Sequence, residues 1–484
     1  MKQGEPASGK PKVPPTPSIG IGRPGAGTIT FLILVFAAGV VHWVLFFNYG
    51  DLSFKAHDWG KEYIYYSVIR QAMESGRIPY HIPLAFQETK RFLALPETNL
   101  SPQTLLLPLM DVGKFVLANI LILYTIGFAG CLLIRQKYQL SPIAFSAMFI
   151  LYNFNGHISA HIGVGHSMWT AYFMLPFFFL LVLKIVEGNL SRMTPIKLGF
   201  VLFVIILQGG FHIYIWCITF LLLLLIFNWR HIKPILSAVV YSALLSAFRL
   251  IPAAFTLAGK KEKFIWSYPT IRDLLDAMVT IRQQTPDRLH PWGTPGWWEY
   301  DIYIGVIGLA LIVYFGVILR FSKRPSLEKH KYGALDLPLL TMSAFSISYF
   351  HAFLTRLPVP LLTSERVATR FIIIPVIFLT FLAAIRLGRC LESVRKTLKL
   401  YVAAIVGLAV MGLSFVDHSY LWSVVRLERV YKDRMVDLTV PGIITMEDGQ
   451  YKALLVLSGA ISLATIVLLV YLGTRWRRTS RKTP

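Results

Sequence analysis

Long apolar runs separated by short polar stretches dominate the sequence. The twelve segments predicted to be helical lie at roughly 28–48, 113–134, 141–157, 166–186, 194–209, 211–228, 234–256, 301–319, 335–353, 371–388, 399–416 and 452–473. Several approach the ~20 residues that an α-helix needs to cross the hydrocarbon core of a bilayer. The runs are continuous, as in Phe220–Phe227, whereas strands of a membrane barrel alternate apolar and polar residues. We therefore predict an all-α polytopic membrane protein with about 12 transmembrane helices. Because segments 141–157 and 194–209 are short, a count of eleven or thirteen helices stays open.

Composition supports this class, because 55% of the 484 residues are hydrophobic and only 15% are charged. The net charge of +23 divides unevenly along the chain. If the N-terminus is inside, the inner stretches and adjoining segment ends hold 26 Lys and Arg residues but only 5 Asp and Glu residues. The rest of the chain holds 22 Lys and Arg residues and 20 Asp and Glu residues. This distribution follows the positive-inside rule and predicts that both termini are cytoplasmic. Topology thus explains the basic charge, and we predict no nucleic-acid partner.

The predicted organisation is a single transmembrane domain over 28–473 between two cytoplasmic tails. Residues 1–27 are rich in Pro, Gly and Lys and predict disorder, and 474–484 form a basic tail. The inner connections are short, whereas outer excursions lie near 49–112, 257–300, 354–370 and 417–451. An active site is therefore predicted to face outward. Apolar positions at a helical period over 61–75, followed by Gly76, predict an amphipathic helix at the outer interface.

Asp58 is the leading candidate for catalysis, just before the predicted amphipathic helix. One interpretation is an N-cap that accepts hydrogen bonds from the following amides. The other is a general base at the membrane surface. His57 and Glu62 flank Asp58 and are candidates for substrate contact.

Three histidines, His157, His161 and His166, occupy the turn between two predicted spans. His157 and His161 are four residues apart, a spacing that suits metal ligands on a helix. Contact with substrate or phosphate and structural capping are the alternatives. His212 follows Gly209-Gly210, a pair typical of either close helix packing or backbone amides that approach an anion.

Other polar residues lie at the predicted outer ends of spans. Arg249 lies within an apolar run, where a charge is costly and usually has a partner or a ligand. Glu299 and Asp301 lie beside Trp298. They either mark the outer end of a predicted span or bind a cation or hydroxyl groups. Arg366 and Arg370 are four residues apart, and their guanidinium groups suit phosphate oxygens. We expect Arg366, Arg370 and Arg249 to bind phosphate.

The sequence resembles the GT-C-type integral-membrane glycosyltransferases, in particular a bacterial multi-pass branch. The similarity spans residues 28–390 and lies in His57-Asp58-Trp59, the Asn155–Trp169 turn with Leu175-Pro176, Arg249–Pro252, Glu299–Gly305 and Arg366–Phe371. It implies a bacterial plasma-membrane enzyme that moves one sugar from a polyprenyl-phosphate donor to a glycan, lipid or protein acceptor. Asp58 would be the general base. Members of this group often carry paired acids where this chain has His57-Asp58, so no metal or other cofactor is assigned, although a divalent metal is left open.

Three other functions stay open at the sequence level. A flippase or exporter of lipid-linked sugars would share the membrane character, but the two halves of the chain lack the matched hydropathy typical of carriers. An envelope polysaccharide polymerase or ligase would also use outward arginines and histidines, and a non-catalytic scaffold is the third alternative.

Overall fold

The structure is a computed structural model that describes residues 25–83, 89–257, 266–281, 296–321, 332–354, 367–393, 398–444 and 446–480. The predicted disorder of 1–24 and the end of the basic tail lie outside these ranges. Residues 26 and 27, predicted as tail, already belong to the first helix.

Helices make up most of the described chain. They are α1 Ala26–Phe46, α2 Trp59–Ser75, α3 Val112–Tyr138, α4 Pro142–Asn153, α5 Gly156–Gly163, α6 Leu175–Val186, α7 Thr194–Leu207, α8 Phe211–Phe227, α9 Ile232–Leu245, α10 Ala247–Leu257, α11 Ile271–Val279, α12 Gly305–Leu311, α13 Leu319–Phe321, α14 Asp336–Phe345, α15 Ser348–Leu354, α16 Ile373–Ser393, α17 Leu398–Trp422, α18 Val424–Val430 and α19 Gly449–Ser480. A π-helical segment, Ile312–Ile318, joins α12 to α13.

Shorter elements connect these helices. The 3₁₀ helices are Asn48–Gly50, Phe92–Ala94, Pro102–Leu109, Ser167–Met174, Trp229–His231, Trp297–Glu299, Gly333–Leu335 and Ala368–Ile372. Strands β1 His81–Pro83 and β2 Thr89–Arg91 pair antiparallel, with His81 opposite Arg91.

Each of the twelve predicted apolar segments coincides with helix in the structure, so the all-α membrane class is confirmed. Among the described residues, six helical stretches are long and apolar enough to cross a membrane, namely Ala26–Phe46, Val112–Tyr138, Ser167–Val186, Ala368–Glu392, Tyr401–Trp422 and Gly449–Arg475. Trp229–Leu245 and Ala247–Thr256 form a pair bent by 75° that adds a seventh if it is one span. Other apolar helices are only 10–17 residues long, so the count of about 12 stays a prediction.

Local sequence signals explain where several helices begin and end. Helix α2 ends at Gly76, whose φ of +65° is favourable for glycine and closes the helix. Helix α11 begins at Thr270, which forms a capping box with Asp273. Asn155 caps α5, since its side chain accepts a hydrogen bond from the amide of Ile158.

Helix α2 is more deeply buried than an interfacial helix would be. Val68, Ile69 and Ala72 of the predicted apolar stripe are buried as expected. However, Tyr65 and Tyr66 of the same helix are also buried within the protein. Helix α2 packs against the Pro102–Leu109 helix and α3. Other parts of the protein therefore cover α2, which the sequence predicts to lie at the membrane interface.

Candidate functional site

The carboxylate of Asp58 lies at the N-terminal end of α2, but it does not cap the helix. Its side chain accepts no hydrogen bond from the first-turn amides and is 46% exposed. Its Oδ2 lies 3.2 Å from the Nζ of Lys61, one turn along the helix. The N-cap interpretation of Asp58 therefore lacks its defining contact, and the side chain is accessible for chemistry.

Lys61 is surrounded by three carboxylates, which we call the carboxylate cluster: Asp58, Glu62 and Glu97. The Nζ of Lys61 lies 2.9 Å from Glu97 Oε2 and 3.6 Å from Glu62 Oε1. Glu62 is buried, and its other oxygen accepts a short hydrogen bond from the hydroxyl of Ser167. The ammonium group of Lys61 thus links the start of α2 to the loop that carries Glu97, and Glu62 links α2 to Ser167.

Burial and neighbouring charge act in opposite directions on the carboxylate cluster. Burial raises the pKa of Glu62 to about 7, although Lys61 and Ser167 act to lower it. Burial by itself would also raise the pKa of Glu97, but Lys61 outweighs it and the pKa falls below its ordinary value. For Lys61, burial is outweighed by Glu62, Glu97 and Asp58, and the pKa lies above its ordinary value. Lys61 is therefore a cation at neutral pH, and burial favours the protonated form of Glu62.

The turn that follows α5 lies directly against the start of α2. Gly165 has a φ of +89°, and a Cβ there would lie 2.5 Å from the amide nitrogen of Trp59. The amide of Asp58 donates to the carbonyl of Val164, and the indole of Trp59 donates to the carbonyl of Gly163. A side chain at 165 would force these two segments apart, so the glycine allows the histidine-rich turn to reach Asp58.

Two of the three candidate histidines of this turn contact each other. The Nδ1 atoms of His161 and His166 lie 2.7 Å apart, so one donates a hydrogen bond to the other. The Nε2 of His166 lies 3.7 Å from Asp58 Oδ2. Burial, together with the charge of Arg370 and other cations, lowers the pKa of both imidazoles well below the ordinary value. Both rings are therefore neutral at pH 7, and their surroundings disfavour the protonated form.

Glu299 and Arg370 form a buried bidentate ion pair on the other side of His161. The Nε and Nη2 of Arg370 donate to the two oxygens of Glu299 at 2.8 and 2.7 Å. The guanidinium also lies over the ring of Trp169, 4.8 Å from its centroid. The Nε2 of His161 lies 3.9 Å from Glu299 Oε2. We call His161, His166, Glu299 and Arg370 the buried network.

Trp169 connects the remaining histidines to the buried network. Its indole N–H donates to the Nε2 of His157 at 2.8 Å, and its ring stacks on His161 with centroids 4.2 Å apart. His212 lies 5.7 Å from the same ring. Four of the histidines predicted as site residues thus gather around one tryptophan, namely His157, His161, His166 and His212.

An aromatic patch adjoins Asp58 at the surface. The ring of His57 lies 4.6 Å from Trp298 and 4.7 Å from Tyr431, and all three side chains are partly exposed. Burial, then the charge of Arg434, lowers the pKa of His57 to about 4, so His57 is neutral at pH 7. Flat rings beside a carboxylate suit a ligand with an apolar face and hydroxyl groups.

Asp301 corrects one prediction, because it does not share a site with Glu299. Its Oδ2 accepts hydrogen bonds from the indole of Trp422 at 2.7 Å and from the Nε2 of His418 at 2.9 Å. Its Oδ1 accepts from the amide of Tyr303. The side chain is fully buried, and it joins the 297–303 segment to the end of α17.

Arg249 corrects a second prediction, because its Nη1 and Nη2 are directed to backbone rather than toward a phosphate site, and its buried Nε has no hydrogen-bond partner in the described structure. Its guanidinium donates to the carbonyls of Leu93, Leu95, Pro96 and Thr98 at 2.7–3.2 Å. This clamp holds the loop that carries Glu97. Arg249 therefore acts on the site through the position of that loop.

Two other predictions have different outcomes. Gly209 packs closely on the same loop, since a Cβ there would lie 2.3 Å from the carbonyl oxygen of Glu97, which favours the close-packing interpretation. Arg366 lies outside the described residues, so its proximity to Arg370 stays a prediction.

His161, His166 and Glu299 are also the described residues that come closest to a metal-ligand set. Their ligand atoms lie within 4.8 Å of one another. However, Arg370 donates to both oxygens of Glu299, and the two imidazoles bond to each other through Nδ1. These contacts favour a hydrogen-bonded relay over a cation site.

Sequence reasoning did not select Lys61, Glu97 or Ser167. Lys61 had a local signal, because it is three residues from Asp58 on the same helical face. Glu97 and Ser167 had none, since their partners are distant in the sequence.

Comparison with known proteins gives no assignment for this site. No protein-family model matches the chain, and no curated protein is found as a relative. The likeness to GT-C glycosyltransferases therefore rests on the residues described above and belongs to the proposal that follows.

Proposed function

We propose that the chain is a membrane glycosyltransferase that moves one sugar from a polyprenyl-phosphate donor to an acceptor hydroxyl on the outer face. The observation that carries the proposal is the position of Asp58. Its half-exposed carboxylate lies between the aromatic patch of His57, Trp298 and Tyr431 and the neutral imidazole of His166. A sugar ring on the patch would meet a proton acceptor at its edge.

In the proposed reaction, the acceptor hydroxyl donates a hydrogen bond to Asp58 while its oxygen attacks the anomeric carbon of the donor. A new carbon–oxygen bond forms as the bond from that carbon to the phosphate oxygen breaks, and the electron pair leaves with the prenyl phosphate. Asp58 takes the proton of the hydroxyl. The neutral imidazole of His166 lies 3.7 Å from Asp58 and is positioned by its hydrogen bond with His161.

Positive charge near the departing phosphate comes from two sources in this proposal. Lys61 stays protonated, and its side chain is 32% exposed beside Asp58. Arg370 supplies a fixed positive charge deeper in the protein, positioned by Glu299 and Trp169. Arg366 is retained as the second arginine of the phosphate site. Such preorganised charge stabilises the negative charge that develops in the transition state.

The decisive experiment uses purified protein in lipid with a panel of radiolabelled polyprenyl-phosphate sugars and a mixture of acceptors. We expect transfer from at least one donor, and Asp58→Asn to slow it by about 10²–10⁴-fold with donor binding retained, the range for loss of a general base. The matched control is Asp51→Asn, an exposed carboxylate seven residues earlier. Full activity of Asp58→Asn would eliminate the base assignment. Sugar-dependent binding without transfer in the unmodified protein would favour a carrier.

A further inference from the structure

A large groove is lined by parts of several helices. Its lining includes the C-terminal half of α3, residues of α6 as far as Lys184, and residues of α7 from Ile196 to Val204. The lining contains no residue of the carboxylate cluster, the buried network or the aromatic patch. The groove and the candidate site are therefore distinct.

The size and lining of the groove suit a lipid chain. Its volume is about 1920 Å³, whereas pockets for drug-sized ligands usually have ≈ 300–1,000 Å³. Ile126, Leu133 and Phe200 line it and are 38%, 45% and 54% exposed. The lining along α3 extends from Ile126 to Gln139, about 20 Å of helix. This length exceeds half of a ~30 Å hydrocarbon core, so an acyl chain of one leaflet fits along it.

Basic side chains lie at one end of the groove. Arg135, Lys184 and Lys197 line it, and the carboxylate among the lining residues is that of Glu392. Within the described part of the chain, neither Lys184 nor Lys197 forms an ion pair. Lys137, in contrast, is paired with Glu187 at 2.9 Å. The Nε of Arg135 is buried without a hydrogen-bond partner in the described structure, a donor that an anionic group would satisfy.

We propose that this groove binds an anionic phospholipid, with an acyl chain along α3 and α7 and the phosphate headgroup at Arg135, Lys184 and Lys197. Apolar lining by itself would take any lipid tail. The unpaired basic end selects a negative headgroup, because juxtamembrane basic residues attract anionic lipids. The predicted topology places this end at the cytoplasmic leaflet. The proposal is independent of glycosyl transfer.

The natural Cys390 provides a reporter for the test. It is exposed and adjoins Leu391 and Glu392 of the groove lining, whereas Cys131 and Cys217 are buried. Protein labelled at Cys390 with an environment-sensitive fluorophore is titrated in neutral detergent with phosphatidylglycerol or phosphatidylcholine. We expect saturable binding with preference for phosphatidylglycerol. Lys184→Gln/Lys197→Gln should weaken it by about 30-fold, from about fivefold for each basic residue.

The matched control is Arg230→Gln/Lys233→Gln, which removes two exposed positive charges from another short basic connection outside the groove. This variant should retain the affinity for phosphatidylglycerol. Equal binding of the two lipids, or equal weakening in the two double variants, would overturn the proposal. Since the readout is binding, failure of the glycosyltransferase proposal would leave this result unaffected.

Discussion

At the residue scale, the candidate site depends on how burial and charge compete at single side chains. Asp58 and Glu62 are four residues apart on one helical face, and both lie near Lys61. Asp58 is half exposed, whereas Glu62 is buried, and burial raises the pKa of Glu62 to about 7. Two carboxyl groups of one turn thus differ in burial, and a carboxyl with a raised pKa in such a place is typical of sites that handle protons.

The raised pKa of Glu62 predicts how stability depends on pH. The folded state binds the Glu62 proton more tightly than the unfolded chain, whose ordinary pKa is 4.5. The corresponding stability is full below pH 4.5 and is lost as the pH rises through about 7, with a total of about 3 kcal/mol. Glu62→Gln keeps a neutral group, so its melting temperature relative to the unmodified protein should be higher at pH 8 than at pH 5.

The control for this prediction is Glu74→Gln, on the same helix but exposed and paired with Arg70. Its melting temperature relative to the unmodified protein should not change between pH 5 and pH 8. If Glu62→Gln behaves in the same way, Glu62 is ionised in the folded protein throughout this range, and burial does not raise its pKa as proposed.

At the element scale, short segments between helices bring the site together. His166 lies in the turn after α5, and Ser167 begins the next helix. His166 lies beside the Asp58 carboxylate, and Ser167 donates a hydrogen bond to Glu62. The loop clamped by Arg249 supplies Glu97. The 296–301 segment supplies Trp298 and Glu299. Since each element contributes only one or two groups, small displacements of a turn should act on the chemistry without unfolding the protein.

Gly165→Ala tests this point. A methyl group at a φ of +89° costs about 1–2 kcal/mol in strain, and its contact with the Trp59 amide would displace the turn from α2. We expect a lower melting temperature and at least a tenfold loss of Asp58-dependent transfer, because His166 moves from the carboxylate.

Gly76→Ala is the matched control, because Gly76 also has a positive φ but a Cβ there meets no atom within 4 Å. The Gly76→Ala variant should have a lower melting temperature because of the strain, but it should retain Asp58-dependent transfer. Equal effects of the two substitutions on transfer would mean that the close approach at Gly165 has no catalytic role.

At the scale of the whole molecule, the two proposed sites have no residue in common. The predicted topology places the candidate site outside and the basic groove inside. Separation of this kind lets one membrane domain bind a cytoplasmic-leaflet lipid and handle a substrate on the other face. The arrangement depends on the orientation of the chain, which charge asymmetry predicts.

Cysteine accessibility measures that orientation directly. In a chain without its natural cysteines, Ser53→Cys lies shortly before Asp58 and Ser191→Cys lies between α6 and α7, and both positions are exposed. A membrane-impermeant maleimide should label Ser53→Cys in intact cells and Ser191→Cys only after permeabilisation. The reverse pattern would place Asp58 in the cytosol and exclude the proposed reaction with an outer-face acceptor.

The sequence alone determined where helices form, because apolar periodicity, caps and Gly76 act over a few neighbouring residues. It also selected most of the polar residues that gather at the site, since Asp58, His161, His166, Glu299 and Arg370 are all costly in an apolar chain. For such residues, a partner or a function is the usual reason for retention.

Only the tertiary structure decided which of these residues meet. Glu299 and Asp301 are two positions apart, yet one pairs with Arg370 and the other with His418 and Trp422. Arg249 was selected correctly as a residue that needs partners, but those partners are backbone carbonyls of a loop more than a hundred residues earlier. The partner and the burial of a polar side chain depend on contacts between distant segments, and local periodicity holds no record of them.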